Sequence, residues 1–513
     1  SGTTAGQSKK FPVTREYESA FQRAQQYMQA LVKRAASESP SSNMRVVEEG
    51  KIFSVSVAGR QYETKGGHMI GSALTNYYRG EGFKNNYDFM NYTSPIEVVL
   101  TEDSPQALYC HLLCGLLQAS QVWCLEAGFA FNMDAAFAML RTSWQSICKD
   151  IKSATLSEEI KDDNVRNAVL RVVHAHANSE LAEFIEGECC KCSWEGIVRR
   201  LWPNAVYIQC RAGGPLMKPY LYRINYYSGN LPIYGLSYGA SEGGHLAICT
   251  RPSSSLFTFL PTTAFYEFIP LSKAEHDQVD LQTCYNDIFV PAQDTVVEFH
   301  ALQVGHYYQP VVTTFQGLYR YKLGDVIRMK GFNGRSPEFE YVQRNNVLLS
   351  VNTDKTDEGE LHNVMEKVCL FVKQARLDVV DYTSCVEYES DCSPGHYVIF
   401  VEIDGPPNPY TNEQEMASIM QECCCLLDSS FNHAYKKGRK AGRIGALELR
   451  IVGRGGFYNI MQYRLQRGGI SMSQYKPPRS IPCHSPLHQI LNDDVIATYK
   501  STLTSWNVYH HSN

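Results

Sequence analysis

The 513-residue sequence has no uninterrupted apolar stretch long enough to span a bilayer, and it does not begin with a signal peptide. It also lacks a strong excess of one charge, since its formal net charge is −5. Proteins that bind nucleic acid carry clustered lysine and arginine, and no long basic run occurs here. We therefore expect neither a membrane nor a nucleic acid as a partner.

The sequence also lacks the even number of regularly spaced cysteines that is typical of a disulfide framework. Its 17 cysteines are an odd number scattered along the chain, with Cys423, Cys424 and Cys425 adjacent to one another. This usage predicts a reducing, cytoplasmic setting. Cys189 and Cys192 have the spacing of half a zinc site, but no second pair follows at metal spacing, so ordinary thiols are the better interpretation.

The chain begins with Ser1, not Met, and its start lies inside a glycine-rich loop, so we expect the natural N-terminus to be missing. Glycines let the backbone approach a phosphate, and the hydroxyls and lysines of residues 1–10 suit its oxygens and charge. The spacing is not that of a Walker loop. Taken alone, the stretch is also typical of an ordinary surface loop.

The length predicts at least two domains. An amphipathic helix is predicted over 15–36, a strand pair over 45–63 turning at Gly59, helices through about residue 201, and then short strands. Glycine-punctuated strands over 296–342 suggest a small antiparallel barrel. Beyond it, helix 357–374, strands 378–388 and 396–403, helix 412–435, strand 444–452 and helix 456–466 indicate a compact α+β unit.

Two motifs place acidic side chains at strand ends. In the first, over 234–244, Tyr238 is suited to cover a purine, Ser241 to meet a phosphate and Glu242 to hold Mg²⁺, which favours oxygen ligands. In the second, over 317–325, Asp325 follows a glycine and is suited to accept both ribose hydroxyls. The alternative for the first motif is a tight turn with an exposed glutamate. The alternative for the second is the corner of a hairpin.

These clusters, in this order, resemble the adenylate-forming superfamily. Longer stretches resemble the plant Gretchen Hagen acyl-acid amido synthetases, and these are residues 313–325, 344–358, 394–400, 444–450 and 473–479. The resemblance extends from Ser1 to about residue 500. It implies an α/β (α+β) fold with a large N-terminal domain of sheets, flanking helices and a small barrel (1–348), and a smaller mobile α+β lid (349–513).

The resemblance implies a two-step reaction with ATP and Mg²⁺. A carboxylic acid is adenylated with release of pyrophosphate, and an amino acid then displaces AMP to form an amide. Lys476 and Glu242 are the implied catalytic residues, and Glu242 is the implied metal ligand. The implied nucleotide-binding residues are Ser1, Gly2, Thr3, Thr4, Gly6, Tyr238, Ser241, Glu242, Asp325, Lys355 and Lys476. A monomer is expected.

The implied acyl-substrate residues are His68, Gly71, Thr75, Gly244 and His245. Auxin-conjugating members have an arginine where this chain has Gly71, and the neighbouring stretches look more like jasmonate-conjugating members. Those members, however, carry a bulky tryptophan where this chain has Gly244. We interpret the acid as an oxylipin-type acid such as jasmonate.

Two other hypotheses stay open at this point. One is an acyl-CoA-type synthetase, which would accept a thiol instead of an amine. The other is a catalytically weak acyl- or nucleotide-binding protein, and the presence of Glu242, Asp325 and Lys476 together argues against it.

Overall fold

The computed structural model describes residues 10–37, 49–212, 217–251, 254–273, 289–291, 296–344, 347–351, 354, 356–388, 394–404, 413–467 and 471–503. The α-helices in these residues are α1 (Arg15–Ser37), α2 (Ala73–Arg79), α3 (Glu81–Asn86), α4 (Ile96–Leu100), α5 (Ser104–Leu117), α6 (Ala130–Ser153), α7 (Asp163–His176), α8 (Ser179–Cys189), α9 (Ile197–Leu201), α10 (Lys218–Ser228), α11 (Glu358–Gln374), α12 (Glu413–Ser430), α13 (His433–Lys440), α14 (Gly456–Gln466) and α15 (Pro486–Asp493).

The strands are β1 (Lys51–Val55), β2 (Tyr62–Glu63), β3 (Met69–Ile70), β4 (Val122–Phe129), β5 (Tyr207–Arg211), β6 (Ile233–Tyr234), β7 (Ser237–Ala240), β8 (Gly244–Ile248), β9 (Leu256–Phe259), β10 (Ala264–Lys273), β11 (Phe289–Pro291), β12 (Tyr307–Thr314), β13 (Tyr321–Lys322), β14 (Asp325–Asn333), β15 (Ser336–Arg344), β16 (Val347–Leu349), β17 (Thr356–Asp357), β18 (Asp378–Glu387), β19 (His396–Asp404), β20 (Glu448–Val452) and β21 (Val495–Lys500).

The first sheet is parallel and has the order β1-β4-β5-β6. Its apolar strands and helices α5 to α10 share one buried core. Within that core, Phe53 stacks on Trp202 at 5.3 Å between ring centroids. Gly115 permits this packing, because a Cβ there would lie 2.5 Å from the Phe53 ring. Ligands in parallel sheets bind at the carboxyl ends of strands, so the ends of β4 and β5 are the first place to look for a site.

The second sheet is antiparallel and has nine strands in the order β11-β10-β12-β14-β15-β9-β8-β7, with β13 paired to β12. The strands predicted as a small barrel over 296–342 belong to this sheet. They are joined there by upstream strands from residues 237–273. Aromatic rings fill its core, including Phe259 stacked on Phe339 at 4.3 Å.

The C-terminal region contains a four-stranded sheet in the order β18-β19-β20-β21, with helices α11 to α13 packed on its core. Arg479 joins it to the rest of the chain, since the buried guanidinium pairs with Asp381, whose other oxygen accepts from the Tyr220 hydroxyl at 3.0 Å. The predicted domain boundary at 348/349 falls inside β16 and stays a prediction.

Several element predictions are confirmed and three are wrong. The stretch predicted as helices up to about residue 201 also contains a strand, β4, because its apolar residues are buried in the parallel sheet. Helices 15–36, 357–374 and 456–466 and the antiparallel strand pair 378–388 and 396–403 are present. The strand pair turning at Gly59 does not form, because β1 pairs in parallel with β4 and β2 pairs with β3. The predicted helix 412–435 is divided into α12 and α13, where Asn432 caps the second helix by accepting from the Tyr435 N–H. Among the described residues, no helix combines the length and apolar character needed to cross a membrane.

Candidate active site

Tyr238 and Asp325, from two separate motifs, are in direct contact. The tyrosine lies on β7 and its hydroxyl donates to Oδ2 of the aspartate, at the start of β14, over 2.7 Å. The tyrosine ring is buried, with the Phe339 ring edge-on at 5.3 Å. The tyrosine ring is therefore held by packing in the core, and its hydroxyl orients the Asp325 carboxylate.

Glu242 lies at the tip of the β7–β8 hairpin, with Ser241 beside it in the same turn. The glutamate is buried, and the Tyr321 hydroxyl donates to its Oε1 at 3.4 Å. The hairpin requires glycine at 239, because a Cβ there would lie 2.2 Å from the carbonyl oxygen of Gly244. The tight turn thus holds one carboxylate in a fixed position. Mg²⁺ prefers oxygen ligands, so this buried carboxylate would fit the ion together with the phosphate oxygens of a bound ligand.

Lys476 is the last residue of a segment, 471–476, that docks onto the carboxyl end of β4, where a Cβ at Gly128 would lie 2.5 Å from the Ser473 carbonyl oxygen. The Ser473 hydroxyl accepts from the Val57 N–H at 2.8 Å and donates to the Val57 carbonyl at 3.0 Å. Asn132, in the first turn of α6, donates to the Met472 carbonyl at 2.7 Å. The Lys476 ammonium consequently lies 5.0 Å from the centre of the Phe129 ring. The predicted catalytic lysine is thus brought to the edge of the parallel sheet.

Some predicted nucleotide-binding residues lie outside the described residues. They are Ser1, Gly2, Thr3, Thr4, Gly6 and Lys355.

Three of the predicted acyl-substrate residues lie on or beside α2. A Cβ at Gly71 would stand 2.5 Å from Oδ1 of Asn76, which itself accepts a 2.8 Å bond from Gln61, so two amides close over this position. Thr75 is fully buried and its hydroxyl accepts from the Gly59 N–H at 2.9 Å. His68 is exposed on the β2–β3 hairpin. The three therefore do not share one surface: Gly71 and Thr75 are enclosed by packing, while His68 faces solvent.

Gly244 and His245 begin β8 and face helix α1. The glycine has a φ of +71°, and a Cβ on it would lie 3.0 Å from the Tyr17 ring. The His245 ring packs on Phe21 with centroids 4.4 Å apart. The space beside Gly244 is therefore bounded by aromatic side chains of α1, one of which, Phe21, also contacts Tyr77 of α2.

Two charged residues at this edge were missed from the sequence. Arg211 ends β5, and its guanidinium lies 5.4 Å from the centre of the same Phe129 ring that Lys476 contacts. Glu126 interrupts the apolar run of β4, and burial raises its pKa to about 7, opposed by Arg211 and by a hydrogen bond from Tyr92. A charged residue inside an otherwise apolar parallel strand was the available signal, because such strands are normally covered on both faces.

Comparison with known proteins gives one consistent match along the chain. The GH3 family N-terminal domain matches residues 1–233, the GH3 family central domain matches 257–344, and the GH3 family C-terminal domain matches 359–484. The indole-3-acetic acid-amido synthetase GH3.17 of Arabidopsis thaliana is 35% identical over 514 residues, covering 98% of this chain and 82% of that protein.

A second relative is the 4-substituted benzoates-glutamate ligase GH3.12 of Arabidopsis thaliana, which is 34% identical over 90% of this chain and 78% of its own length. Among solved structures, the GH3.15 acyl acid amido synthetase superposes with a TM-score of 0.80 at 32% identity, covering 96% of this chain and 82% of that one. The resemblance predicted from the motifs is confirmed, and so are the mixed α/β fold and the enzyme class. The chain belongs to the GH3 family of acyl acid amido synthetases, which are ligases that form amide bonds between acids and amino acids.

Proposed function

We propose that this synthetase adenylates an oxylipin-type carboxylic acid with Mg²⁺-ATP and then transfers the acyl group to an amino acid. In the first step, a carboxylate oxygen attacks the α-phosphorus, and the bond to the departing pyrophosphate breaks. In the second step, the amine nitrogen attacks the acyl carbon, loses a proton and displaces AMP. The docking of residues 471–476 beside β4 is the observation that carries this proposal.

The nucleotide would lie along the described carboxylates. Asp325, oriented by Tyr238, would accept the ribose hydroxyls, and Ser241 with the loop at Ser1 to Gly6 would meet the phosphates, with Lys355 as a further phosphate contact. Glu242 would hold Mg²⁺, which neutralises phosphate charge when it is bound. Lys476 would stabilise the charge that builds on the α-phosphate, because a pre-positioned ammonium does this best where water is excluded.

The acid would lie between α1, α2 and β8. Gly71 provides no cation there, and the Gln61–Asn76 amide pair takes the space beside it. This supports an acid other than an indole-type auxin, although two relatives bear the names of an indole-3-acetic acid synthetase and a benzoate ligase. Gly244 and His245 would form one wall with α1, Thr75 would fix α2, and His68 would be the outermost candidate.

We propose from the state of the cysteine thiols that the protein acts in the cytoplasm. The fifteen cysteines among the described residues are free, which supports work in the reducing cytoplasm. We propose action as a monomer, with the acid and the amino acid as substrates.

Product analysis tests the activity. The protein is incubated with ATP, Mg²⁺, the twenty amino acids and a panel of oxylipin, indole and benzoate acids, and products are identified by mass spectrometry. We expect amides, AMP and pyrophosphate, with oxylipin acids converted fastest. Thioester from added coenzyme A with no amide from any amino acid would instead support an acyl-CoA synthetase.

The role of Lys476 is tested by Lys476→Ala. We expect acid-dependent pyrophosphate release to slow by about 10²–10³, as when a pre-positioned donor to a developing charge is lost. Lys152→Ala is the matched control, because that side chain is 59% exposed on α6. An unchanged rate in Lys476→Ala would remove this residue from the mechanism.

A further inference from the structure

Arg211 is a cation at the edge of the parallel sheet that makes few hydrogen bonds among the described residues, although Glu126 of β4 lies near enough to interact with its charge. It ends β5, in register with Phe129 at the end of β4. Its Nη1 donates to the Gly128 carbonyl at 3.4 Å, and this is the one hydrogen bond it makes within the described parts of the chain. A guanidinium has five donors in a planar fork, so most of them are left for a ligand.

His245 is an unpartnered buried polar group that lies near enough to Arg211 to feel its charge. The side chain is 2% exposed, and neither ring nitrogen has a hydrogen-bond partner among the described residues. Burial, together with the nearby Arg211, lowers the pKa of His245 to about 3, so the ring is neutral. A neutral imidazole has one donor and one acceptor, and leaving both buried and unmatched is costly unless a ligand pairs with them.

The surroundings of these two groups are aromatic. Phe21 packs on His245 at 4.4 Å and on Tyr77 at 5.1 Å between centroids. Tyr17 closes the space beside Gly244. A mainly apolar pocket with a few convergent polar groups is the usual form of a small-molecule site. Here the polar groups are one cation and one neutral ring.

We propose that Arg211 and His245 bind a second acceptor oxygen of the acyl acid, a keto, hydroxyl or carboxylate oxygen remote from the reacting carboxyl group. The inference rests on the proposed function, because it takes this pocket as the acyl pocket. It makes Arg211 a specificity-determining residue that selects oxygenated acids.

The reacting carboxylate is a poorer partner for Arg211. Pairing with a guanidinium would withdraw charge from the attacking oxygen, and the pair would be lost once the carboxylate becomes a neutral mixed anhydride. A second oxygen keeps its contact through both steps. An indole N–H does not satisfy Arg211, because both groups are donors. A keto-bearing oxylipin acid does satisfy it.

The test uses pairs of acids that share a carbon skeleton and differ by one oxygen, such as cyclopentaneacetic acid with and without a ring ketone. Acid-dependent pyrophosphate release gives kcat/KM for each. The native enzyme should prefer the oxygenated acid by about 10–100-fold, because a site built to hydrogen-bond a group rejects the analogue that lacks it. In Arg211→Met this ratio should fall to about one.

Arg171→Met is the matched control, since this side chain is exposed on the surface of α7, and it should leave the ratio unchanged. Equal losses for both acids in Arg211→Met would overturn the inference by assigning Arg211 to the reacting carboxylate. A native ratio near one would overturn it as well.

A second variant and a binding measurement test the proposal even if Arg211→Met does not fold. His245→Phe keeps the ring packing on Phe21 and should also lower the ratio. Calorimetric titration of the native protein with each acid pair, without ATP, should show tighter binding of the oxygenated member. Failure of the proposed function is a separate result, because the native enzyme would then form no amide from either acid.

Discussion

The Tyr238 hydroxyl donates a 2.7 Å hydrogen bond to Asp325, although the two residues are 87 positions apart. One oxygen of the carboxylate is thereby used for orientation, and the burial of the tyrosine ring keeps the hydroxyl in place. If Asp325 accepts two ribose hydroxyls as proposed, its orientation decides the strength of both contacts, since charge-assisted hydrogen bonds are directional.

Tyr238→Phe removes this bond while keeping the ring in its packing. Hydrogen bonds to charged groups contribute about 1.5–3 kcal/mol, so we expect the KM for ATP to rise by about tenfold or more. Initial-rate measurements of pyrophosphate release at varied ATP check this. Tyr27→Phe, at an exposed position on α1, is the control. An unaltered KM in a folded Tyr238→Phe protein would show that Asp325 needs no such support.

Gly244→Ala tests the contact between β8 and α1. The position has a φ of +71°, and the new Cβ would lie 3.0 Å from Tyr17. Because left-handed backbone costs a non-glycine residue about 1–2 kcal/mol, we expect at least that loss in the free energy of unfolding, measured with urea.

The control is Gly187→Ala, inside α8, where a Cβ meets nothing within 4 Å. Alanine is a better helix former than glycine, so this variant should gain about 0.5–1 kcal/mol. If both substitutions had the same effect, the contact with Tyr17 and the backbone conformation would not matter at Gly244.

Ser473→Ala tests the docking of the segment before Lys476. The substitution leaves the Val57 N–H and carbonyl without their partner. An unmet buried polar group costs about 1–3 kcal/mol, so the docked state should become less populated and adenylation should slow by about tenfold. Single-turnover pyrophosphate release measures this.

Ser153→Ala provides the comparison, because its exposed hydroxyl donates to a carbonyl within α6. It should leave adenylation as it is in the native enzyme. If the Ser473→Ala protein is folded and adenylates as fast as the native enzyme, docking has no role in positioning Lys476.

Glu126 should make stability depend on pH. Burial raises its pKa in the folded protein to about 7, from an ordinary value of 4.5. Between these values the folded state binds more protons than the unfolded state. Its contribution to stability is therefore complete below the ordinary pKa and is lost as the pH rises through the folded pKa.

Glu126→Gln removes this titration. As the pH rises from about 5 to about 8, the variant should gain about 2–3 kcal/mol in the free energy of unfolding relative to the native protein. The difference in free energy of unfolding between the two proteins cancels the contributions of other titrating groups. One of these is Glu360, since burial also raises its pKa to about 7. A difference that does not change with pH would show that Glu126 titrates normally.

Much of the local structure was predictable because its causes are local. The amphipathic period over 15–36 predicted α1, and the strands predicted over 378–388 and 396–403 form the antiparallel pair β18–β19. The motifs also identified Tyr238, Glu242 and Asp325 as chemically suited residues. These features depend on neighbours a few positions away, which the sequence displays directly.

Sequence alone was therefore enough to predict the secondary structure of the strongly periodic segments and the residue types available for adenylation. The pairing of β1 with β4, instead of across Gly59, becomes visible only in the fold, since a parallel pairing joins strands that are distant in sequence. The fold also brings Arg211 and Lys476 to the same aromatic ring, that of Phe129, and packs the Gln61 and Asn76 amides against Gly71. These contacts depend on burial and close packing between segments that lie from 15 to several hundred residues apart, for which local sequence carries no signal.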